Sequence, residues 1–283
     1  MDPRKDPGTA VPGFFSCRDY CGVMIEDVGG RCAVIIVAAG SGQRLGHGMP
    51  KARVPLGGAT MLAHAVQGVV AAGVAAQICI AVPAGDDAMV ELCHQVAARS
   101  GAGPEMRWSV VDGGADRAAS VRAALELVDA RVSTVLVHDA ARPLTPTGVF
   151  DRVVAALRDG AKAVIPALAV ADTIKTVVPA ELPATGAGVE RVSGTPVRNR
   201  LRAVQTPQGF DVDTLRRAHA HAQTLDADAA AQITDDAMLV EAIGEDVYVV
   251  QGSTHSLKIT TPLDLLLAEA MLQGPLRPRW VEG

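Results

Sequence analysis

One apolar run constrains the fold of this chain more than any other feature of its sequence. Val34–Ala39 is a continuous stretch of alanine and β-branched residues that breaks into the glycine-containing segment Gly40–Leu45. Such a run is typical of a buried parallel strand, and glycines after it allow backbone NH groups to approach phosphates. Arg44 and Lys51 follow, seven residues apart across glycine and proline, and can converge on one polyphosphate. The segment favours a nucleotide-binding strand and loop, with a plain strand-to-loop turn as the alternative.

Two familiar phosphate-binding motifs do not match this loop. After Gly40 and Gly42, the position that would complete G-x-G-x-x-G holds Leu45, and the chain contains no G-x-x-x-x-G-K-[ST]. The loop therefore predicts neither a dinucleotide-binding fold nor a P-loop. A nucleoside triphosphate held by backbone NH groups and two cations remains the favoured ligand.

The composition indicates a globular protein and excludes several functional classes. With 283 residues, 49% of them hydrophobic, the chain can bury a sizeable core. A net charge of −5 and 3% aromatic residues argue against a nucleic-acid partner. The sequence has neither a membrane-length apolar stretch nor the apolar core of a signal peptide, so we predict a cytoplasmic protein with no membrane partner. The five cysteines and seven histidines lack C-x-x-C and H-E-x-x-H spacing, which favours neither a disulfide framework nor a zinc site.

From residue 32 onward, apolar runs alternate with helical patterns, as in βαβ units. This rhythm predicts an α/β fold with a mostly parallel sheet and helices on both faces. Residues 1–31 lack periodicity and are expected to be a flexible extension, and residues 274–283 a C-terminal tail. The predicted strands are Ala33–Ala38, Gln77–Val82, Arg107–Val111, Thr134–His138, Ala161–Pro166 and Val247–Gln251. The predicted helices are Thr60–Ala72, Asp86–Arg99, Arg117–Val128, Thr147–Arg158, Asp213–Gln223, Asp235–Ile243 and Pro262–Leu272.

One stretch, at about residues 169–204, breaks this rhythm. It contains repeated glycines and prolines among threonine, valine and basic residues, and it is too long for a tight loop. The pattern predicts either an extended β-arm that packs against a second subunit or a disordered insertion.

Three further segments carry chemical groups to the same predicted sheet edge. Gly113 and Gly114 follow the third strand, and Ser120 lies early in the next helix. Asp139 follows the fourth strand, where a carboxylate can hold Mg²⁺, cap a helix or pair with a neighbouring arginine. Lys258 interrupts a late apolar segment, where it can meet an anion or extend to solvent. Because ligands bind beyond the carboxyl ends of parallel strands, these groups are expected to meet one nucleotide.

At these positions the chain resembles the 2-C-methyl-D-erythritol 4-phosphate cytidylyltransferases of the non-mevalonate isoprenoid pathway. The resemblance covers about residues 32–273 and implies a Rossmann-like nucleotidyltransferase domain that binds CTP, with a protruding β-arm that forms a homodimer. The matching segments, in chain order, are Ala38–Arg44, Pro50-Lys51, Gly113-Gly114 through Val121, Val137–Pro143, Asp172–Lys175, Thr206–Gln208 and Leu257–Thr260.

The resemblance also implies residue roles. Arg44 and Lys51 would be catalytic and grip the CTP phosphates, and Asp139 would bind Mg²⁺ or another divalent cation. The nucleotide would contact Ala38, Ala39, Gly40, Gly42, Gly114, Ser120 and Ala140. The methylerythritol phosphate would contact Thr173, Arg198, Thr206 and Lys258, the first two from the partner's arm. The substrate phosphate would then attack the α-phosphorus of CTP and release pyrophosphate.

Two departures and two alternatives stay open at this point. Ala115 stands where relatives often carry an acidic residue, and Ser253–Ser256 before Lys258 contains no second acidic metal ligand. A ribitol 5-phosphate cytidylyltransferase would share the loops and differ mainly in the acceptor pocket. A non-catalytic nucleotide-binding regulator could share the fold, although the joint presence of the basic residues and Asp139 disfavours it.

Overall fold

A computed structural model describes residues 32–46, 48–182, 186–226 and 232–274. The predicted extension at residues 1–31 lies outside the described residues, as does the predicted tail apart from its first residue. The described strands are β1 Cys32–Val37, β2 Pro55–Leu56, β3 Ala59–Thr60, β4 Ala75–Val82, β5 Arg107–Asp112, β6 Thr134–Asp139, β7 Ala163–Ala169, β8 Thr176–Leu182, β9 Gly186–Gly194, β10 Arg202–Val204, β11 Gln208–Asp211 and β12 Val247–Gln251. The described helices are α1 Met61–Ala72, α2 Asp87–Arg99, α3 Arg117–Leu125, α4 Thr147–Arg158, α5 Val212–Ala222, α6 Asp236–Ala242 and α7 Pro262–Gln273.

The central sheet is mainly parallel, as the sequence predicts. Its order is β5-β4-β1-β6-β11-β7, and β12 and β10 also pair with β7. At the carboxyl end of β1, Val37 pairs with Ala81 of β4 and with Asp139 of β6. The loops that follow β1 and β6 therefore leave the sheet side by side, and the loop after β5 leaves the same edge.

The antiparallel strand β11 was not predicted. It lies between β6 and β7, and its four residues mix polar and apolar character without a strand-like run. Phe210 is fully buried, and a Cβ atom at Gly209 would lie 2.4 Å from the side chain of Val153 in α4. Close packing against a helix therefore makes this segment a central strand, and local sequence preference does not reveal it.

Helices cover both faces of the sheet, which confirms the predicted α/β layering. Alternate residues of β1 enter opposite cores: Val34 and Ile36 pack with α1, α2 and α4, whereas Ala33 and Ile35 pack with α3, α5 and α6. A third apolar cluster, which includes Leu45 and Ile259, lies where the first loop meets α7. Side chains of Thr60, Asp86, Asp116, Asp211, Asp235 and Thr261 cap the helices that follow them.

The predicted arm contains a two-stranded antiparallel ribbon. Strands β8 and β9 pair with each other in a sheet of their own. The ribbon is shorter than the predicted arm of about residues 169–204, because β10 pairs with β7 of the central sheet. Val177 and Val192 are 43% and 51% exposed on the ribbon. The two valines are register partners, so both exposed apolar side chains lie on one face of the ribbon.

Within the described ranges, the helices are too short or too polar to qualify as membrane spans.

Candidate active site

A cleft of about 660 Å³ opens at the carboxyl edge of the parallel strands. Loops that follow β1, β5 and β6 form its walls, together with the segment that precedes α7. Eleven of the residues singled out from the sequence line this cleft: Ala38, Ala39, Gly40, Gly42, Arg44, Lys51, Gly114, Ser120, Asp139, Ala140 and Lys258. The tertiary structure thus brings together groups that are more than two hundred residues apart in the chain.

The loop after β1 is closed on itself by its backbone. The NH group of Lys51 donates to the carbonyl oxygen of Gly40 at 3.0 Å. Gly42 has a φ of 71°, and a Cβ atom there would lie 2.8 Å from the carbonyl oxygen of Met49. A side chain at position 42 would therefore push the two ends of the loop apart. Closure of the loop places Arg44 and Lys51 in the wall of the same cleft.

The turn after β5 is built around two closely packed glycines. A Cβ atom at Gly113 would lie 2.7 Å from the Cβ of Ala39, and one at Gly114 would lie 2.3 Å from the Cβ of Ala119. The NH group of Gly114 donates to the Ser120 hydroxyl at 3.1 Å, and that hydroxyl donates to the carbonyl oxygen of Asp116 at 2.8 Å. Ser120 therefore shapes the turn as well as lining the cleft, and the glycines leave backbone accessible where a flat ligand can approach.

Asp139 is the electrostatic centre of the cleft. It is only 6% exposed, and its Oδ2 lies 2.8 Å from Lys258 Nζ and 3.9 Å from Arg142 Nε. Its Oδ1 lies 3.3 Å from Arg117 Nε. Burial raises the pKa of Asp139, but the three surrounding cations outweigh burial and hold that pKa far below its ordinary value. The carboxylate is therefore ionised at neutral pH.

Positive charge in the cleft exceeds what Asp139 balances. The pKa of Lys51 lies below its ordinary value because burial disfavours the charged amine, and because Lys258 and Arg44 repel it. The NH group of Ile259 donates to the carbonyl oxygen of Ala141 at 2.8 Å, and this hydrogen bond holds the segment of Lys258 against the loop after β6. Three cations that repel one another in a concave site are suited to bind a polyanion.

Thr206 lies behind the cleft and is only 4% exposed. Its hydroxyl oxygen is 3.0 Å from the NH group of Asp139, which donates to it, and 3.0 Å from Nδ1 of His138. Burial lowers the pKa of His138 to about 4, so this imidazole is neutral at pH 7. Thr206 therefore fixes the backbone that carries Asp139, and its predicted contact with the acceptor stays a prediction.

Thr173 and Arg198 are outside the set of residues that line the cleft. Both are exposed, next to the β8–β9 ribbon. Arg198 Nη1 donates to the carbonyl oxygen of Ala171 at 2.8 Å, which fixes the guanidinium against the base of the ribbon. The predicted action of these two residues in another subunit's site stays a prediction.

Sequence reasoning assigned no role to Arg117, which lines the cleft and pairs with Asp139. It is the first residue of α3, directly after the capping residue Asp116. A usable signal was present, because the first turn of a helix that follows a parallel strand lies at the ligand-binding edge.

Asp139 is a candidate ligand for a divalent cation in the cleft. The described residues contain no cluster of three or more histidine, cysteine or acidic side chains suited to a metal ion. Asp139 is ionised and faces the cleft, and its partner Lys258 is 43% exposed. One carboxylate combined with substrate phosphates is a common way to bind Mg²⁺, so the donor set fits that mode of binding.

Comparison with known proteins decides the family. Residues 32–274 match the model of the 2-C-methyl-D-erythritol 4-phosphate cytidylyltransferases. The chain belongs to this family. A relative of that name from Streptomyces avermitilis is 46% identical over 247 residues, which are 86% of this chain and 92% of the relative. Another from Nocardia farcinica is 48% identical over 246 residues, which are 87% of this chain and 96% of the relative.

Solved structures of the family share the fold. The cytidylyltransferase from Thermus thermophilus superposes with a TM-score of 0.63 at 35% identity, and the match covers 86% of this chain and all of that one. The 4-diphosphocytidyl-2C-methyl-D-erythritol synthase from Anaerococcus prevotii superposes with a TM-score of 0.70 at 27% identity, over 87% of this chain and all of that one. These names agree on methylerythritol phosphate, and the ribitol phosphate alternative is therefore not favoured.

Proposed function

We propose that this chain transfers the cytidylyl group of CTP to 2-C-methyl-D-erythritol 4-phosphate. The products are 4-diphosphocytidyl-2-C-methyl-D-erythritol and pyrophosphate, on the route to isoprenoid precursors. Membership of the cytidylyltransferase family supports the choice of reaction. The observation that carries the proposal is the convergence of Arg44, Lys51 and Lys258 with Asp139 in one cleft.

The chemistry suits these residues. The acceptor phosphate is already a competent nucleophile, so in-line attack on the α-phosphorus requires no covalent enzyme intermediate and no strong general base. The main requirement is to align two anions and to stabilise the charge that spreads over the phosphoryl oxygens. Arg44 and Lys51 bind the triphosphate from the first loop, while Lys258 meets the reacting phosphates from the segment that precedes α7.

Base recognition is assigned to three segments that carry small residues. Ala38, Ala39, Gly40 and Gly42 provide backbone close to the nucleotide from the loop after β1, and Ala140 does so after β6. Gly114 and Ser120 complete the cleft wall at the turn after β5. Packing of Gly113 against Ala39 supports this assignment, because it brings the two backbone segments into direct contact.

A divalent cation, with Mg²⁺ as the expected ion, is assigned to Asp139. When bound, it would neutralise phosphate charge and help to orient the triphosphate. Lys258 forms an ion pair with Oδ2 of this carboxylate. When the nucleotide binds, we expect the Lys258 side chain to move and to pair with a phosphate oxygen instead. The exposure of Lys258 supports such a movement.

The active enzyme is proposed to be a homodimer. Thr173 and Arg198 would contact the methylerythritol phosphate in the neighbouring subunit, together with Thr206 and Lys258 of that subunit. The exposed valines of the β8–β9 ribbon support this arrangement. A protein that is monomeric at assay concentration yet fully active would refute the claim that the ribbon completes a neighbouring site.

The deciding experiment is pyrophosphate release by the purified protein with Mg²⁺ and CTP. Methylerythritol 4-phosphate, ribitol 5-phosphate and no acceptor are compared in parallel. Strong preference for methylerythritol phosphate is expected. Preference for ribitol phosphate would keep the fold and the mechanism but change the substrate, whereas CTP binding without turnover on either acceptor would favour the non-catalytic regulator.

A further inference from the structure

A buried ion-pair network extends from the cleft into the protein through Arg117. Its Nε lies 3.3 Å from Asp139 Oδ1 in the cleft, and its Nη1 lies 2.5 Å from Asp236 Oδ2 behind it. Asp236 is 1% exposed and is not among the residues that line the cleft. Arg117 therefore links Asp139, which faces the cleft, to Asp236, which a ligand in the cleft cannot touch.

Asp236 is fixed by a second buried partner. His219 of α5 lies with Nε2 3.2 Å from Asp236 Oδ1, and its side chain is 2% exposed. Burial raises the pKa of Asp236, but Arg117 and His219 outweigh burial and lower that pKa below its ordinary value. Since an ionised carboxylate only accepts hydrogen bonds, Nε2 of His219 is the donor. Both oxygens of Asp236 thus have a named partner.

The start of α6, which carries Asp236, is held in place by Gln208 of strand β11. Gln208 Nε2 donates to Asp235 Oδ2 at 2.8 Å, and its Oε1 accepts from the NH group of Ala237 at 3.3 Å. The residues on both sides of Asp236 are therefore tied to the sheet. The position of the Asp236 carboxylate is set by the fold and not by rotation of a surface side chain.

Charge balance indicates what this network does. Asp139 faces Arg117, Arg142 and Lys258, so one negative group is shared by three positive groups. Asp236 supplies a second negative group to Arg117 alone. If Asp236 lost its charge, Arg117 would have Asp139 as its remaining carboxylate partner, and its planar fork favours bidentate pairing. The carboxylate would then be drawn away from Lys258 and from any cation in the cleft.

We infer that Asp236, fixed by His219, is a positioning residue that sets the place and available charge of Asp139 through Arg117. This inference rests on the proposed nucleotidyl transfer in the cleft. Loss of the Asp236 charge should weaken binding of CTP with Mg²⁺ and lower kcat/KM, although Asp236 itself touches neither substrate.

The test compares Asp236→Asn with a matched substitution outside the cleft. Asp129 is also a buried aspartate with two arginine partners, Arg107 and Arg131, and it precedes β6 at the opposite edge of the sheet. Both variants should lose thermal stability, since each removes the charge of a buried aspartate that pairs with arginine. Only Asp236→Asn should lower kcat/KM, by about tenfold, and weaken CTP–Mg²⁺ binding measured by calorimetry.

A double-mutant cycle with Arg117→Lys separates positioning from general damage, because lysine keeps the charge but cannot span both carboxylates. Asp236→Asn should lower kcat/KM much less in the Arg117→Lys background than in the wild type. If Asp236→Asn does not fold, His219→Leu replaces it, with an expected loss of about threefold.

Two results would overturn the inference. In one, kcat/KM and the CTP dissociation constant of Asp236→Asn match those of Asp129→Asn. In the other, the losses from Asp236→Asn and Arg117→Lys multiply independently in the double variant. Turnover of the wild type in the same assay tests the proposed function separately. CTP binding by the variants tests the role of Asp236 whichever acceptor the enzyme uses.

Discussion

Replacement of Lys51 by alanine should separate catalysis from stability. Lys51 stands in the cleft wall, where burial disfavours its charge and Lys258 and Arg44 repel it. Bound to CTP, the same amine would neutralise phosphoryl oxygens in a partly desolvated site. Loss of one such interaction costs on the order of 3 kcal/mol in the transition state, which corresponds to a fall in kcat/KM of about a hundredfold or more.

The free energy of unfolding should not fall in Lys51→Ala, although kcat/KM does. A lysine whose pKa is lower in the folded than in the unfolded state has its charged form disfavoured by folding. This cost is largest where the amine is charged in both states, and it disappears as the pH rises through the ordinary value near 10.5. Lys51→Ala should therefore leave the melting temperature at neutral pH unchanged or slightly raised, in line with the strain often stored in active sites.

The measurement combines pyrophosphate release with thermal unfolding of the same preparations. Lys162→Ala is the matched control, because Lys162 precedes β7 at the opposite edge of the sheet and is 55% exposed. Its turnover should equal that of the wild type. Near-normal turnover of Lys51→Ala would remove Lys51 from the mechanism, and a fall of several degrees in its melting temperature would show that it acts through the fold.

Three substitutions outside the basic residues test local packing and hydrogen bonding. Gly114→Ala would place a Cβ atom 2.3 Å from Ala119, and we expect a loss of about 1 to 3 kcal/mol in unfolding free energy and a raised KM for CTP, measured by denaturant titration and kinetics. Thr206→Val leaves the buried NH group of Asp139 without its acceptor and should cost about 2 kcal/mol in the same denaturant titration, which Thr206→Ser should largely restore. Burial raises the pKa of Asp264, but hydrogen bonds from Thr260 and Thr261 outweigh burial and lower that pKa to about 2. Asp264→Ala should therefore lower stability by about 1 kcal/mol at pH 7, and this difference from the wild type should shrink as the pH falls below about 4 toward 2.

Local sequence patterns predict much of the fold and most of the residues that line the cleft. The run that became β1 and the capped amphipathic segments around it indicate strands and helices because burial and backbone capping act over short distances. Parallel strands align their carboxyl ends, so residues that follow those strands can be assigned to one edge. For this reason the sequence groups Arg44, Lys51, Asp139 and Lys258 in one site, with help from the resemblance to a family.

Other features required the tertiary structure. Strand β11 has no strand-like pattern, and it is placed by packing of Gly209 and Phe210 between two longer strands. The hydrogen bond from the backbone NH group of Asp139 to the Thr206 hydroxyl joins residues 67 positions apart, and no local pattern predicts it.

The contacts among Arg117, Asp236 and His219 also depend on the fold, because they join α3, α6 and α5 across up to 119 residues of sequence. The sequence by itself determined which groups stand at strand ends and helix starts, since those positions depend on local propensity. Only the tertiary structure decided which charges share a buried environment, because ion-pair partners are set by the distances between elements that the chain brings together.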